Sequence, residues 1–345
     1  MKSNFIFFLF FVTPYFSSAQ TDQFEVFKIW EEAEHSAFTD LVWFNDAFYC
    51  TFREGIGHIP RLDDTGDGQI RVISSKDGRD WFSVAIVKKE NLDLRDSKLS
   101  ITPDNRLMLL YEGVNYESRK VLSKEPFVSY SNSSGSGFSD PIPVNLDWKL
   151  DTKWNWLWRV SWINGIGYGG LYYEPTNTNE AGSKTKLAII TTENGTDYKL
   201  LKELDMDGNP NESSMKILPN GEARMIVRRE GGDKFGYFGK SKAPFLDWTW
   251  TDLGMRIGGP EFIVLPNGQL ILGTRKYLDN GVETTSLYSG DENGNMKEVI
   301  ELPSGGDTSY PGLVWKDGKL FMSYYSSHEG KTSIYLAIVD GEKFK

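Results

Sequence analysis

The 345-residue chain has one cysteine, Cys50, so no internal disulfide can form and the fold must be held by packing. No run of Lys or Arg exceeds two residues, and 38 basic groups face 48 acidic ones for a formal charge of −10. That balance excludes a sequence-independent nucleic-acid binder, which needs a basic face to neutralise phosphates. There is no long stretch of helical periodicity. The longest apolar run, Phe5 to Val12, is too short to span a bilayer and is soon followed by Pro14. What the chain does have is 11 Trp, 16 Tyr, 21 Phe and 34 Gly, spread evenly enough to exclude disorder and to supply a large core.

Lys2, the apolar run and the small residues Ser17, Ser18 and Ala19 read together as a cleaved secretory signal. Residues 1–20 are therefore set aside. The expectation is a protein secreted to the periplasm or the exterior, without a membrane or lipid anchor, and monomeric. Cys50 lies in an aromatic strand, where a buried, inert thiol is expected.

The remainder repeats. Six segments share one layout, in which a polar approach leads to an apolar strand, a tight turn and a second apolar strand. They are FTDLVWFNDAFYCTFRE, DLRDSKLSITPDNRLMLLYE, WLWRVSWINGIGYGGLYY, NESSMKILPNGEARMIVRRE, GPEFIVLPNGQLILGTRKY and TSYPGLVWKDGKLFMSYYSS. Their turns, Asn45-Asp46, Asp104-Asn105, Asn164-Gly165, Asn220-Gly221, Asn267-Gly268 and Asp317-Gly318, lie 47 to 60 residues apart. Asn-Gly and Asp-Gly tolerate the positive φ that two-residue hairpins demand. A period near fifty without helices predicts an all-β, six-bladed β-propeller of four-stranded blades, forming one domain over 21–345. The sixth blade lacks an outermost strand after KTSIYLAIV, and the orphan strand FEVFKIW (24–30) is expected to supply it and close the ring.

Between the hairpins, SKDGRDW (75–81), TENGTDY (192–198) and SNSSGSGF (131–138) place Ser/Thr, a turn-forming polar residue, Gly and an aromatic in order. These resemble the Asp-box of sialidases and related BNR-repeat propellers, although the copies at 75–81 and 192–198 are one residue short. Such a turn speaks for the fold and not for chemistry.

In a propeller the entrance ends of the innermost strands, with adjoining loops, form the one concave polar site. The residues opening each first strand are therefore the candidates: Thr39 and Asp40, Arg95 and Asp96, Trp158 and Arg159, Asn211 and Glu212, Pro260 and Glu261, Asp307 and Tyr310. The order of Glu212, Arg228 and Tyr310 is similar to two late sialidase blades. That resemblance implies Tyr310 as nucleophile, Glu212 as the base that polarises it, and Arg228 as one arm of a carboxylate-binding arginine triad. A phenol is a poor nucleophile unless a carboxylate takes its proton, and a neutral attacker avoids repulsion from a substrate carboxylate.

The Arg-Ile-Pro element of the family's first strand is replaced here by Ser36-Ala37-Phe38-Thr39. The third family arginine, expected near Gly281-Val282-Glu283, is also absent. Arg53, Arg95, Arg159 or Arg275 would have to rebuild the anion clamp. The family's acid falls in the loop after the first hairpin, where Asp63, Asp64 and Asp67 compete and Asp67, nearest the next strand, is favoured. His58 in that loop is a further acid or base candidate near neutral pH, with His328 and His35 behind it. Neither Asp63/Asp64/Asp67 nor Asp205/Asp207/Asn209 ends with the Glu of a helix-loop-helix calcium site, so no metal is assigned, and no cofactor is expected.

The leading expectation is a secreted exo-acting glycoside hydrolase that removes a terminal acidic sugar from a glycan or polysaccharide. Tyr310, Glu212 and Asp67 would be catalytic, with Arg53, His58, Arg95, Asp96, Arg159, Arg228, Arg275 and Asp307 binding substrate. The alternatives are a propeller lyase or glycosidase using His58 and Tyr310, and a non-catalytic carbohydrate-binding propeller in which Trp156, Trp158 and Tyr310 stack on sugar rings.

Overall fold

At three of the six hairpins the turn residues take the left-handed backbone that a two-residue loop requires: Asn45 and Asp46 (φ 46° and 60°), Asn164 and Gly165 (49° and 83°), Asp317 and Gly318 (50° and 75°). The other three use wider loops. Thr102, Leu218 and Leu265 each accept a hydrogen bond from the amide three residues on, at Asn105, Gly221 and Gly268. The computed structural model describes residues 24–61, 66–147, 152–176 and 184–344. The expected signal segment, Asp63 and Asp64 lie outside the described residues.

The hairpins grow into six antiparallel sheets. Blade 1 is His35–Phe44, Ala47–Gly55, Gln69–Ser75 and Phe82–Val87. Blade 2 is Asp93–Ile101, Leu107–Glu117, Lys120–Tyr130 and the short Ile142–Pro143. Blade 3 is Thr152–Ile163, Ile166–Pro175, Lys186–Thr192 and Asp197–Leu204, with Asn145–Asp147 added in parallel to its outer edge as an unforeseen fifth strand. Blade 4 is Pro210–Ile217, Glu222–Arg229, Phe235–Lys242 and Trp248–Arg256, and blade 5 is Glu261–Val264, Leu270–Tyr277, Glu283–Gly290 and Met296–Leu302. Blade 6 has Thr308–Lys316, Lys319–Ser326 and Ser333–Asp340, and its outermost strand is Phe24–Trp30. That strand pairs antiparallel with the end of the chain, from Phe24↔Val339 to Trp30↔Ile334. The ring is thus closed as the repeat predicts.

The outer turns carry the hydrogen bonds their composition implies. Ser75 Oγ accepts from the Gly78 amide at 2.9 Å, Asp77 Oδ1 from Arg79 and Asp80, and the Trp81 indole donates back to Gly78 O. Thr192, Asn194 and Gly195 repeat the pattern in blade 3. Alternating residues of adjacent sheets fill the core between blades, with Phe38, Phe48, Phe52, Tyr111, Phe127, Trp158, Tyr173, Tyr198 and Phe238 fully buried. Cys50 is among the buried residues, and burial pushes its thiol well up, which keeps it inert. Among the described residues no helix is long and apolar enough to cross a membrane.

Candidate active site

One irregularity recurs at the same place in five blades. Two residues of the innermost strand oppose one residue of the second: Phe38-Thr39 against Phe52, Asp96-Ser97 against Tyr111, Trp158-Arg159 against Gly170, Asn211-Glu212 against Arg228, and Tyr310-Pro311 against Tyr324. A bulge of this kind re-aims side chains that a regular strand would turn sideways. Phe38, Asp96 and Tyr310 pass through it at φ 64°, 54° and 50°, a conformation uncommon for residues with a Cβ. In blade 5 the corresponding point is Gly259 at φ 57°. A Cβ there would lie 2.5 Å from Cγ of Tyr310, so only glycine leaves room for that ring.

These bulges gather a catalytic-looking pair. The Tyr310 hydroxyl donates to Glu212 Oε1 at 2.5 Å. Glu212 Oε2 accepts from Arg228 Nη1 at 2.7 Å and from the Gly259 amide at 2.8 Å, and Arg228 Nη1 also reaches the phenol oxygen at 3.1 Å. Tyr310 and Glu212 are both buried. Burial would raise the Glu212 carboxyl, but Arg228, the Tyr310 hydroxyl and the Gly259 amide outweigh it and hold the group below its ordinary range. Burial and the Glu212 charge push the Tyr310 phenol well up. The proton therefore rests on tyrosine beside an ionised acceptor. Phe38, Trp158 and Tyr325 pack on the Tyr310 ring at 5.4, 5.8 and 6.0 Å between centroids. Beneath it lies the buried ammonium of Lys98, 4.8 Å from the Trp158 ring.

The remaining candidates divide. Arg275 faces Tyr310 with its guanidinium 5.4 Å from the ring, but it is engaged by Thr308 O, the Tyr325 hydroxyl and Glu283. Arg228 gives Nε and Nη2 to Glu230, and Arg95 lies over Phe38 with Asp96 at 3.4 Å. Burial raises the Asp96 carboxyl above its usual value. Asp307 accepts from His35 and His58 on one oxygen and from Tyr325 on the other.

Four expectations need correction. Arg53 does not face the pocket: it has no exposed surface, and its three nitrogens are taken by Asp93, Gly57 O and Asp67. Asp67 is turned into the same cluster and caps the Ile56 amide at 2.6 Å, so it folds the loop and is not offered to a substrate. Arg159 is buried among Asp40, Glu261 and Pro311 O, where it ties blades together. Trp158, only 1% exposed, supports Tyr310 and offers no open face to a sugar.

Residues that the sequence did not single out also line this region. Glu112, in the second strand of blade 2, is buried with neither oxygen hydrogen-bonded among the described residues, and burial pushes its carboxyl well up. Tyr116 receives Arg95 Nη1 at 2.8 Å, and Tyr172 stacks on Trp156. Ladder pairing places Glu112 opposite Arg95 and Tyr172 opposite Trp156, a property of two strands together, so no local motif marks them.

No family model matches the chain, and no curated protein is similar enough in sequence to report. Solved structures are. A protein of unknown function from Dyadobacter fermentans superposes with TM-score 0.77 at 16% identity, over 92% of this chain and 98% of its own. Trypanosoma rangeli sialidase in complex with the inhibitor DANA gives 0.65 at 14% identity, over 89% of this chain. The fold is a sialidase-like propeller. The GH93 α-L-arabinofuranosidase of Fusarium graminearum, in complex with arabinobiose, gives 0.65 at 18% identity over 93% of this chain and 99% of that one. The sialidase-like propeller described here corresponds to 55% of the trypanosomal chain. At these identities the likeness concerns the fold, and chemistry must be argued from the site.

Proposed function

We propose that the protein is a glycoside hydrolase that attacks the terminal sugar of a glycan through Tyr310, with Glu212 as the base. The observation that carries this reading is the 2.5 Å hydrogen bond from the phenol to an ionised, arginine-held carboxylate. As the phenol oxygen bonds to the anomeric carbon and the bond from that carbon to the glycosidic oxygen breaks, the phenol proton passes to Glu212, and Arg228 Nη1 stabilises the negative charge building on the phenol oxygen. A covalent glycosyl-tyrosine would form, and its hydrolysis would retain the anomeric configuration. The structural likeness to a sialidase and an arabinofuranosidase supports a glycan as substrate.

An acidic terminal sugar was the expectation from the sequence, yet Arg95, Arg228 and Arg275 each have a carboxylate partner in the chain itself, Asp96, Glu230 and Glu283 respectively. An open guanidinium fork, the usual receptor for a carboxylate, is not what supports the hydrolase reading. The test panel therefore includes neutral as well as acidic terminal sugars. Tyr310→Phe should lower kcat by at least about a thousandfold with substrate affinity largely kept. Glu212→Gln should cost as much, and the double variant little more, because the two act as one unit. Intact-protein mass spectrometry of the wild type during turnover should reveal the glycosyl adduct, absent from Tyr310→Phe. Wild-type hydrolytic rates in Tyr310→Phe would remove the assignment. Export follows from the reading of residues 1–20, and amino-terminal sequencing of the protein from the culture fluid or periplasm tests it.

A further inference from the structure

We propose that His58 is the proton donor of this site and that Asp307 is the residue that positions it; this rests on Tyr310 and Glu212 being the nucleophilic pair. Asp307 Oδ2 accepts from His58 Nδ1 at 2.7 Å and from His35 Nε2 at 2.8 Å, while its Oδ1 accepts from the Tyr325 hydroxyl at 2.8 Å. Arg275 Nη2 stands 3.7 Å from that same Oδ1. Both oxygens are thus committed, and the carboxylate cannot rotate without breaking a bond. Despite its burial, these partners hold Asp307 far below the usual carboxylate range, so it stays an anion.

The two histidines around that anion are not equivalent. His35 is buried, and burial lowers its pKa, so it serves as a neutral N–H prop. The His58 side chain is half exposed, and among the described residues its Nε2 makes no hydrogen bond. A carboxylate on Nδ1–H fixes the tautomer and the ring orientation of an imidazole whose other nitrogen exchanges protons, as in serine hydrolase triads. The ring lies beside the aromatic side chains around Tyr310. It stands edge-on to Phe38 at 5.1 Å, Phe38 packs on Tyr310 at 5.4 Å, and the loop is fastened by Arg95 Nη2 to His58 O at 3.2 Å.

His58 belongs to the loop in which the sequence resemblance locates the acid, and the loop carboxylate favoured there, Asp67, is turned inward onto Arg53 and the Ile56 amide. In the first step His58 Nε2 gives its proton to the glycosidic oxygen as that oxygen leaves the anomeric carbon; Tyr310 bonds to the carbon, and the phenol proton goes to Glu212. In the second, His58 takes a proton from water, the hydroxide bonds to the anomeric carbon, the bond to Tyr310 breaks, and Tyr310 recovers its proton from Glu212.

The test compares two glycosides of the sugar the wild type cleaves best, one with an alkyl alcohol leaving group and one with 4-nitrophenol. A donor is needed only for the poor leaving group. His58→Ala and His58→Gln should lose about a hundredfold or more in kcat/KM on the alkyl glycoside and less than about tenfold on the nitrophenyl one, with azide restoring turnover as a glycosyl azide. Asp307→Asn should show the same leaving-group split at smaller amplitude, which a merely structural loss would not produce. Equal losses on both substrates, or a split that appears in Asp96→Asn and not in the His58 variants, would overturn the proposal while leaving the hydrolase reading intact. A wild type that cleaves no member of the panel would sink both.

Discussion

Lys98 shows how much of the site's character comes from single residues that carry no motif. It is a charged residue in the interior of a first strand, its ammonium donates to Thr39 O at 3.2 Å, and burial, with Arg159 adding repulsion, pushes its pKa down to about 8. In the unfolded chain the ordinary value is 10.5, so between about pH 8 and 10.5 the unfolded state binds more protons than the folded one. Stability should therefore rise with pH through that window, by on the order of 3 kcal/mol for a shift of this size, and be flat in this contribution below it. Urea titrations from pH 7 to 10.5 on wild type and Lys98→Met check the sign, because the rise should vanish in the variant. The sequence did not reveal Lys98 because nothing local marks a lysine as buried. Arg53 misled for the opposite reason. It ends a second strand as Arg228 does, yet Asp93 and Asp67 close over it. Glu212, Arg228 and Tyr310 were singled out together by their resemblance to two late sialidase blades, and they lie within hydrogen-bond reach of one another.

At the scale of elements, hairpin turns are written locally and bulges are not. Asn/Asp/Gly turns spaced 47 to 60 residues apart, each between two apolar strands, were enough to number the blades and to assign Phe24–Trp30 to the last of them. The two-against-one pairing that turns Asp96 and Tyr310 inward depends on a partner strand, and the parallel Asn145–Asp147 depends on an outer edge far along the chain, so neither has a signature of its own. The closing strand carries a testable burden. It covers the edge of Ser333–Asp340, buries Ile29, and its Trp30 indole donates to Glu54 at 2.7 Å across to blade 1. A chain beginning at Glu31 would expose an unpaired edge. It should melt at least about 10 °C lower than one beginning at Phe24 and associate on warming. Calorimetry with light scattering reads both effects, and an unchanged melting temperature would mean that the ring closes without this strand.

Across the whole molecule, one buried network touches every blade. Arg159 of blade 3 reaches Asp40 of blade 1 at 2.8 Å, Glu261 of blade 5 at 2.8 Å and Pro311 O of blade 6 at 3.0 Å. Asp40 also accepts from the Leu99 amide of blade 2, and Glu261 from Ser214 and Lys216 of blade 4. Arg159→Met would leave two buried carboxylates without their shared cation and should cost about 3–5 kcal/mol, read as a lower denaturant midpoint at pH 7. Arg159→Lys should recover only part of it, since one ammonium cannot span three acceptors. This network and the hairpins beneath it set the shape of the ring. The surroundings of Tyr310 and Glu212 are set instead by about one position per blade, namely 38, 96, 158, 212, 259 and 310, where the pairing is interrupted anyway. Exchanges at those positions leave the ladders on either side untouched, so heredity can keep the architecture while rewriting the chemistry. Descendants of one ancestral ring could then share its outline, as this chain does with a neighbour at 16% identity, and still have no substrate in common.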